Sequence, residues 1–151
     1  MKWITRQKAV IDRVACPWLI ARRIDREPEF VFVPMPDVFA EAERRDAIPY
    51  DIPGAELSHV GEQCSFDAFL ARYGLAEDPA LQRVATIVRG ADTDRLDLAP
   101  QSAGLLAVSL GMGRTAADDH ALLGAMFPVY DALYEWARSA AGEHHGWPPA
   151  A

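Results

Sequence analysis

Side chains able to ligate a metal crowd the stretch from Tyr50 to Asp67, where Asp51, Glu56, His59, Glu62, Cys64 and Asp67 follow one another closely. Imidazole nitrogens, carboxylate oxygens and thiolates are the donors that first-row transition metals take from proteins. Of the four histidines, two sit side by side at His144 and His145, where they offer an adventitious metal site. The other two, His59 and His120, each lie among acidic residues. Glu56 and His59 have an E-x-x-H spacing, which on a helix brings both side chains to one face in the manner of carboxylate-bridged di-iron bundles. Pro53-Gly54 just upstream argues against a regular helix there. His120 follows Asp118-Asp119 and shares a helical face with Leu123, Phe127, Tyr130 and Tyr134, so it is expected to point inward. A buried imidazole needs a partner, which a metal or a structural hydrogen bond supplies equally well. Asp92 leaves the end of an apolar helical pattern and can approach His120. Glu56, His59, Asp92 and His120 therefore form the expected metal set, with Cys64 and Asp119 in reserve, suited to Zn²⁺, Fe²⁺ or Mn²⁺ rather than Ca²⁺. The plainer reading is that these residues are separate helix caps and turns.

The two thiols are the candidates for nucleophilic or redox chemistry. Cys16 precedes Pro17, and proline suits the first position of a helix, so Cys16 is expected at an N-cap. Cys64 precedes the helical pattern Phe66, Phe69, Leu70, Tyr73 and is expected at a helix start as well. A helix N-terminus favours thiolate, which would make either cysteine reactive. The alternatives are a small buried hydrophobe at Cys16 and a plain cap at Cys64. Arg13 and Arg22 belong to a group of arginines around the first helix and could grip an oxyanion by fork-like hydrogen bonds, or pair with surface acids.

The elements that must position these groups read as an α/β or α+β fold: a small mixed sheet with helices in the N-terminal half, packed on a helical C-terminal half. Trp3–Thr5, Ala9–Ile11, Phe30–Val33 and Ala47–Ile52 read as extended pieces. Asp37 can cap a helix through Arg45. Helices follow from Ser65, from Asp78-Pro79 to about Gly90, from Pro100 to Gly111, and from Thr115 to about Arg138 with Pro128 inside. The third of these is apolar nearly all round and is expected to be the central buried helix. Residues 1–140 are expected to form one domain, with 141–151 a flexible tail.

A net charge of −7 disfavours nucleic-acid binding by this domain alone. No apolar run reaches the roughly 20 residues of a membrane span, and no secretory signal is evident, so a cytoplasmic setting with reduced cysteines is expected.

The segments Asp12-Arg13-Val14-Ala15-Cys16-Pro17-Trp18-Leu19-Ile20, Phe32-Val33-Pro34, Asp51-Ile52-Pro53-Gly54-Ala55-Glu56-Leu57-Ser58-His59, Cys64-Ser65-Phe66-Asp67, Ile87-Val88-Arg89-Gly90-Ala91-Asp92 and Asp118-Asp119-His120 with Tyr130-Asp131 resemble the chromate-resistance protein family, the C-terminal domain of ChrB-type regulators. The resemblance covers about residues 5 to 138. It implies a part in resistance or response to chromate, a tetrahedral oxyanion, without implying a catalytic mechanism. Regulators of that type add an N-terminal DNA-binding part outside this sequence, so direct operator contact is not implied for this domain. Three functions are compatible with these features: a sensor or handling domain for a metal ion or oxyanion, a metal- or thiol-dependent enzyme of chromate detoxification, and a structural domain that forms a homodimer.

Overall fold

The computed structural model describes residues 1–150. Strand β1 (Lys2–Arg6) lies at the centre of a three-stranded parallel sheet, flanked by β2 (Glu29–Val33) and β3 (Ala47–Pro49) in the order β2-β1-β3. Trp3 pairs in register with Phe30 and Ile48, and Ile4 with Val31 and Pro49. Successive side chains of a strand point to opposite faces. Trp3 accordingly packs on Phe69 and Tyr73, at 5.9 and 6.2 Å between ring centres, while Ile4 joins Val38, Ala42 and Ile52 in a second, smaller apolar cluster. Pro49 sits on an edge strand, where its missing N–H costs the sheet nothing.

Parallel neighbours require crossovers. Helix α1 (Asp12–Leu19), prolonged by a π-helical turn at Ile20–Ile24, connects β1 to β2. Helix α2 (Val38–Arg45) connects β2 to β3 and stops at Asp46, whose φ of 53° is a left-handed conformation that aspartate tolerates. Helices α3 (Ser65–Arg72), α4 (Pro79–Asp92), α5 (Ser102–Thr115) and α6 (Asp119–Glu135) complete the helical half, and a π-helical turn follows at Trp136–Ala140. A small sheet with helices in both halves matches the expected architecture. Among the described residues no helix is long and apolar enough to cross a membrane.

Three local expectations are corrected. Ala9–Ile11 is a turn and not a strand, because Lys8 (φ 59°) and Ile11 (φ 43°) reverse the chain. Helix α1 consequently begins at Asp12, which puts Pro17 inside the helix and Cys16 in its middle instead of at an N-cap. The central helix is α1 and not α5: Val14, Ala15, Cys16, Trp18 and Leu19 are all buried, and Trp18 stacks on Phe66 and Tyr130 at 6.4 and 5.8 Å. In α5 only Ser102, Leu105 and Ser109 are buried, while Val108 and Leu110 face outward. Its large apolar residues are spread around the helix, Leu105 inward and Val108 and Leu110 outward, so they do not gather on one buried face.

Gly90 does not end α4 either. A Cβ there would collide with the Ser102 side chain and come within 2.8 Å of the Arg95 carbonyl, so the glycine permits close approach of α5 and the following loop. The helix continues to Asp92, and that extra half-turn carries a carboxylate into the site described next.

Candidate metal centre

Four segments converge where the sheet meets the helices. Asp12 stands at the first position of α1, Asp51 follows β3, His59 lies in the loop before α3, and Asp92 is the last residue of α4. One ligand atom from each lies within 4.8 Å of all the others. His59 Nε2 is 3.0 Å from Asp92 Oδ2, 3.3 Å from Asp51 Oδ1 and 3.4 Å from Asp12 Oδ2. Two ligands at roughly 2.1 Å from a metal can be no more than about 4.2 Å apart, so a contraction of about half an ångström would bring all four into coordination range.

The backbone is bent to make this convergence. Ile11, immediately before Asp12, has φ 43°, a strained value for a β-branched residue, and Asp51 has φ 49°. Helix termini then hold the carboxylates. The Ser65 backbone N–H, at the start of α3, donates to Asp12 Oδ2 at 2.7 Å, and the Ser65 hydroxyl donates to Asp51 Oδ1 at 2.7 Å. The Asp12 N–H, at the start of α1, donates to Asp92 Oδ1 at 3.3 Å. Carboxylates at helix N-termini are favoured by the helix dipole.

Even so, three acids in this position are costly. Asp12 is fully buried, and its Oδ1 has no hydrogen-bond partner. Burial, then the neighbouring Asp51 charge, push its pKa up against the pull of His59. Asp92 is raised to about 7, first by burial and then by the charges of Asp12 and Asp51. Burial also acts upward on Asp51, but hydrogen bonds from His59 and Ser65 and the charges of Arg13 and Arg6 outweigh it and leave its pKa low. His59 is raised to about 10 by its bonds to Asp12 and Asp51, so without a metal the imidazolium itself supplies the countercharge.

Two members of the expected set, His59 and Asp92, are in this cluster; Glu56 and His120 are not. The segment 52–61 is a series of turns, with Gly54 at φ 95°, so the E-x-x-H spacing does not place both side chains on one face. Glu56 points to solvent beside Arg72, 3.3 Å away. His120 is exposed and lies edge-on to Phe32 at 5.4 Å, while Leu122, Leu123, Met126 and Tyr130 form the inward face of α6. Of the reserve ligands, Asp119 accepts the N–H groups of Lys8 and Ala9 at 2.9 and 2.7 Å. Cys64 caps α3, its N–H donating to Asp67 Oδ2 at 3.0 Å. Arg22 makes a two-pronged pair with Asp131 at 2.9 Å, which also accepts from Trp18, whereas Arg13 borders the cluster 3.3 Å from Asp51.

Burial works against activation of either thiol, although Cys64 stands at the N-cap of α3 as expected. Both cysteines are free and buried. Burial first, then the Asp12 charge, push each thiol upward in pKa. Both are therefore expected to react with a disulfide reagent at pH 8 at least about 100-fold more slowly in the folded protein than after denaturation. A stopped-flow trace showing one fast native thiol would contradict this.

Asp51 was legible as one of the ligand-type residues crowded between Tyr50 and Asp67, though outside the expected set, while Asp12 was legible only as a member of a family-like segment. Larger clefts, of about 540 Å³ beside Ser109 and Asp119 and about 600 Å³ beside Trp136, exist elsewhere. Among the described residues neither brings together three metal-ligating side chains.

The fold and site define a small α+β domain with one histidine and three carboxylates focused on a point beneath a surface cavity. The family model of the ChrB C-terminal domain matches residues 3–137, and the chain belongs to that chromate-resistance family. Over 133 residues the chain is 38% identical to Protein ChrB of Cupriavidus metallidurans, covering 88% of this chain and 40% of that protein. The chain thus spans about two fifths of the length of this relative. No solved structure matches it significantly.

Proposed function

We propose that the domain binds one divalent transition-metal ion, Zn²⁺, Fe²⁺ or Mn²⁺, through Asp12, Asp51, His59 and Asp92, and that this binding is its contribution to chromate resistance, as a sensing or handling module. The observation that carries the reading is the convergence of three carboxylates, from Asp12, Asp51 and Asp92, on one imidazole nitrogen, with Asp12 fully buried and its second oxygen, Oδ1, left without a donor. Leaving such a group unpaired costs about 1–3 kcal/mol, and more for a charge. A cation at the focus of the four side chains would offset the buried charge of Asp12 and the repulsion among three acids. One nitrogen with several carboxylate oxygens suits Fe²⁺, Mn²⁺ or Zn²⁺, while Ca²⁺ prefers an all-oxygen shell. An oxyanion alone would meet three carboxylates at this point. A cytoplasmic setting is consistent with two unpaired cysteines.

Metal analysis of tag-free protein tests the reading, with His144 and His145 both changed to Ala to remove the adventitious site. The expected result is about one metal ion per chain. A metal content near zero after incubation with each of the three ions and gel filtration would overturn it.

A further inference from the structure

Two arginines share the cavity with the proposed metal ligands. The cavity, of about 430 Å³, is lined by Arg6, Arg13, Asp51, His59 and Asp92 together with the apolar Val10, Ile11, Ala91 and Leu106. Arg6 Nη2 donates to the carbonyl and to Oδ2 of Asp51, both at 3.1 Å. Arg13 Nη1 donates to the carbonyls of Arg6 and Gln7 at 3.3 and 3.1 Å, and its Nε lies 3.3 Å from Asp51 Oδ2 without the alignment of a hydrogen bond. Both Nε atoms are buried and unpartnered. The two cations therefore gather on the oxygen of Asp51 that faces away from His59.

Charge then decides what the loaded site attracts. Three carboxylates alone would overcompensate a divalent ion and repel any anion. With both guanidiniums in the same cavity and a neutral, metal-bound imidazole, one net positive charge remains, bordered by apolar walls that strengthen its field. The like-charged guanidiniums also oppose each other: Arg13 is lowered in pKa by burial and then by Arg6. Four protein ligands leave positions open on a metal that accepts five or six.

We infer that the metal-loaded site takes a small oxyanion, of the sulfate, phosphate or bicarbonate class, as an additional ligand on the metal, with its outer oxygens held by Arg6 and Arg13. The inference rests on the metal reading above. It makes anion binding conditional on metal, and it assigns Arg6 and Arg13, in place of Arg13 and Arg22, as the anion contacts. Arg22 does not line the cavity and pairs with Asp131 instead.

The test uses the full chain loaded with Co²⁺, whose visible absorption reports its ligands, and sodium sulfate as the probe at constant ionic strength. Sulfate is expected to change the Co²⁺ spectrum saturably, and calorimetry on metal-free protein should give no sulfate binding. Arg6→Gln is expected to weaken sulfate at least about tenfold, through loss of a charged fork, while Co²⁺ binds more tightly because a nearby positive charge is gone. Opposite signs separate this from misfolding, which would weaken both; Arg6→Lys, which keeps the charge, should recover part of the sulfate affinity. Stoichiometric Co²⁺ with a spectrum indifferent to ~10 mM sulfate, enough to fill a site of ~1 mM affinity, would overturn this inference and leave the metal reading standing. Unchanged sulfate binding in Arg6→Gln would also overturn it. Failure to bind Co²⁺ at all would remove the metal reading and this inference together.

Discussion

Asp12→Asn is expected to lower metal affinity at least about 100-fold, about 3 kcal/mol, while changing the stability of the metal-free domain by no more than about 1 kcal/mol. Asparagine has the same shape and keeps an acceptor for the Ser65 N–H, which bonds Asp12 Oδ2 at 2.7 Å. What it removes is a buried negative charge whose ionisation the site already opposes. The comparison is His59→Ala, which also removes a ligand but leaves Asp12, Asp51 and Asp92 facing one another without their imidazolium. That variant should lose metal and also melt lower without it. Competition titration against a chelating dye, paired with thermal melts of metal-free protein, measures both effects. Asp12→Asn binding metal within about threefold of wild type would exclude Asp12 as a ligand, since even a supporting residue typically costs tenfold or more.

The contrast between these acids shows what the sequence disclosed and what it hid. Helices α3 and α4 were readable because their signals are local: Asp78 accepts the N–H groups of Ala80 and Leu81 ahead of Pro79, and Gly74 follows α3 with φ 67°. His59 and Asp92 were readable as ligand-type residues. Asp12 was not, because the Ala9–Ile11 run resembles a strand and Pro17 resembles a helix start. The true start depends on a strained Ile11 that no local preference favours. Such a conformation persists only where tertiary contacts enforce it, here the bonds from Asp12 to Ser65 and Asp92. Glu56 and His120 misled for the complementary reason. Their spacing presupposed a helix at 56–59 and an inward face at 120, and tertiary packing provided neither.

The same cluster sets an unusual pH dependence for the metal-free domain, whose stability is expected to peak near pH 4 and to decline toward pH 10. Asp92 has its folded pKa raised from 3.8 to about 7, so folding favours its protonated form. Its contribution is fullest below the unfolded value and is lost as pH rises from about 4 through 7. His59 is raised from 6.5 to about 10. Its contribution is complete below 6.5 and is lost as pH rises through the folded value. Asp51, depressed in the fold, acts in the opposite sense: its contribution is full above the unfolded value of 3.8 and is lost as pH falls through the lower folded value, which sets the acid side of the maximum. His59 is 40% exposed, so solvent screens its pairs, and the loss between pH 6 and 10 is placed at about 1–2 kcal/mol, well below what the full shift would suggest. For a domain of this size that is a fall of about 3–8 °C in melting temperature. The three acids and the histidine titrate as a unit, so the decline should be broad and not a single step. Added metal should reverse the trend, because its ligands must shed protons to bind: the melting increment at a fixed excess of Mn²⁺ should grow from pH 6 to 8. Paired melts with and without Mn²⁺ across this range measure both slopes. A metal-free domain as stable at pH 9 as at pH 6 would mean that His59 and the three carboxylates do not carry the charges their geometry assigns them.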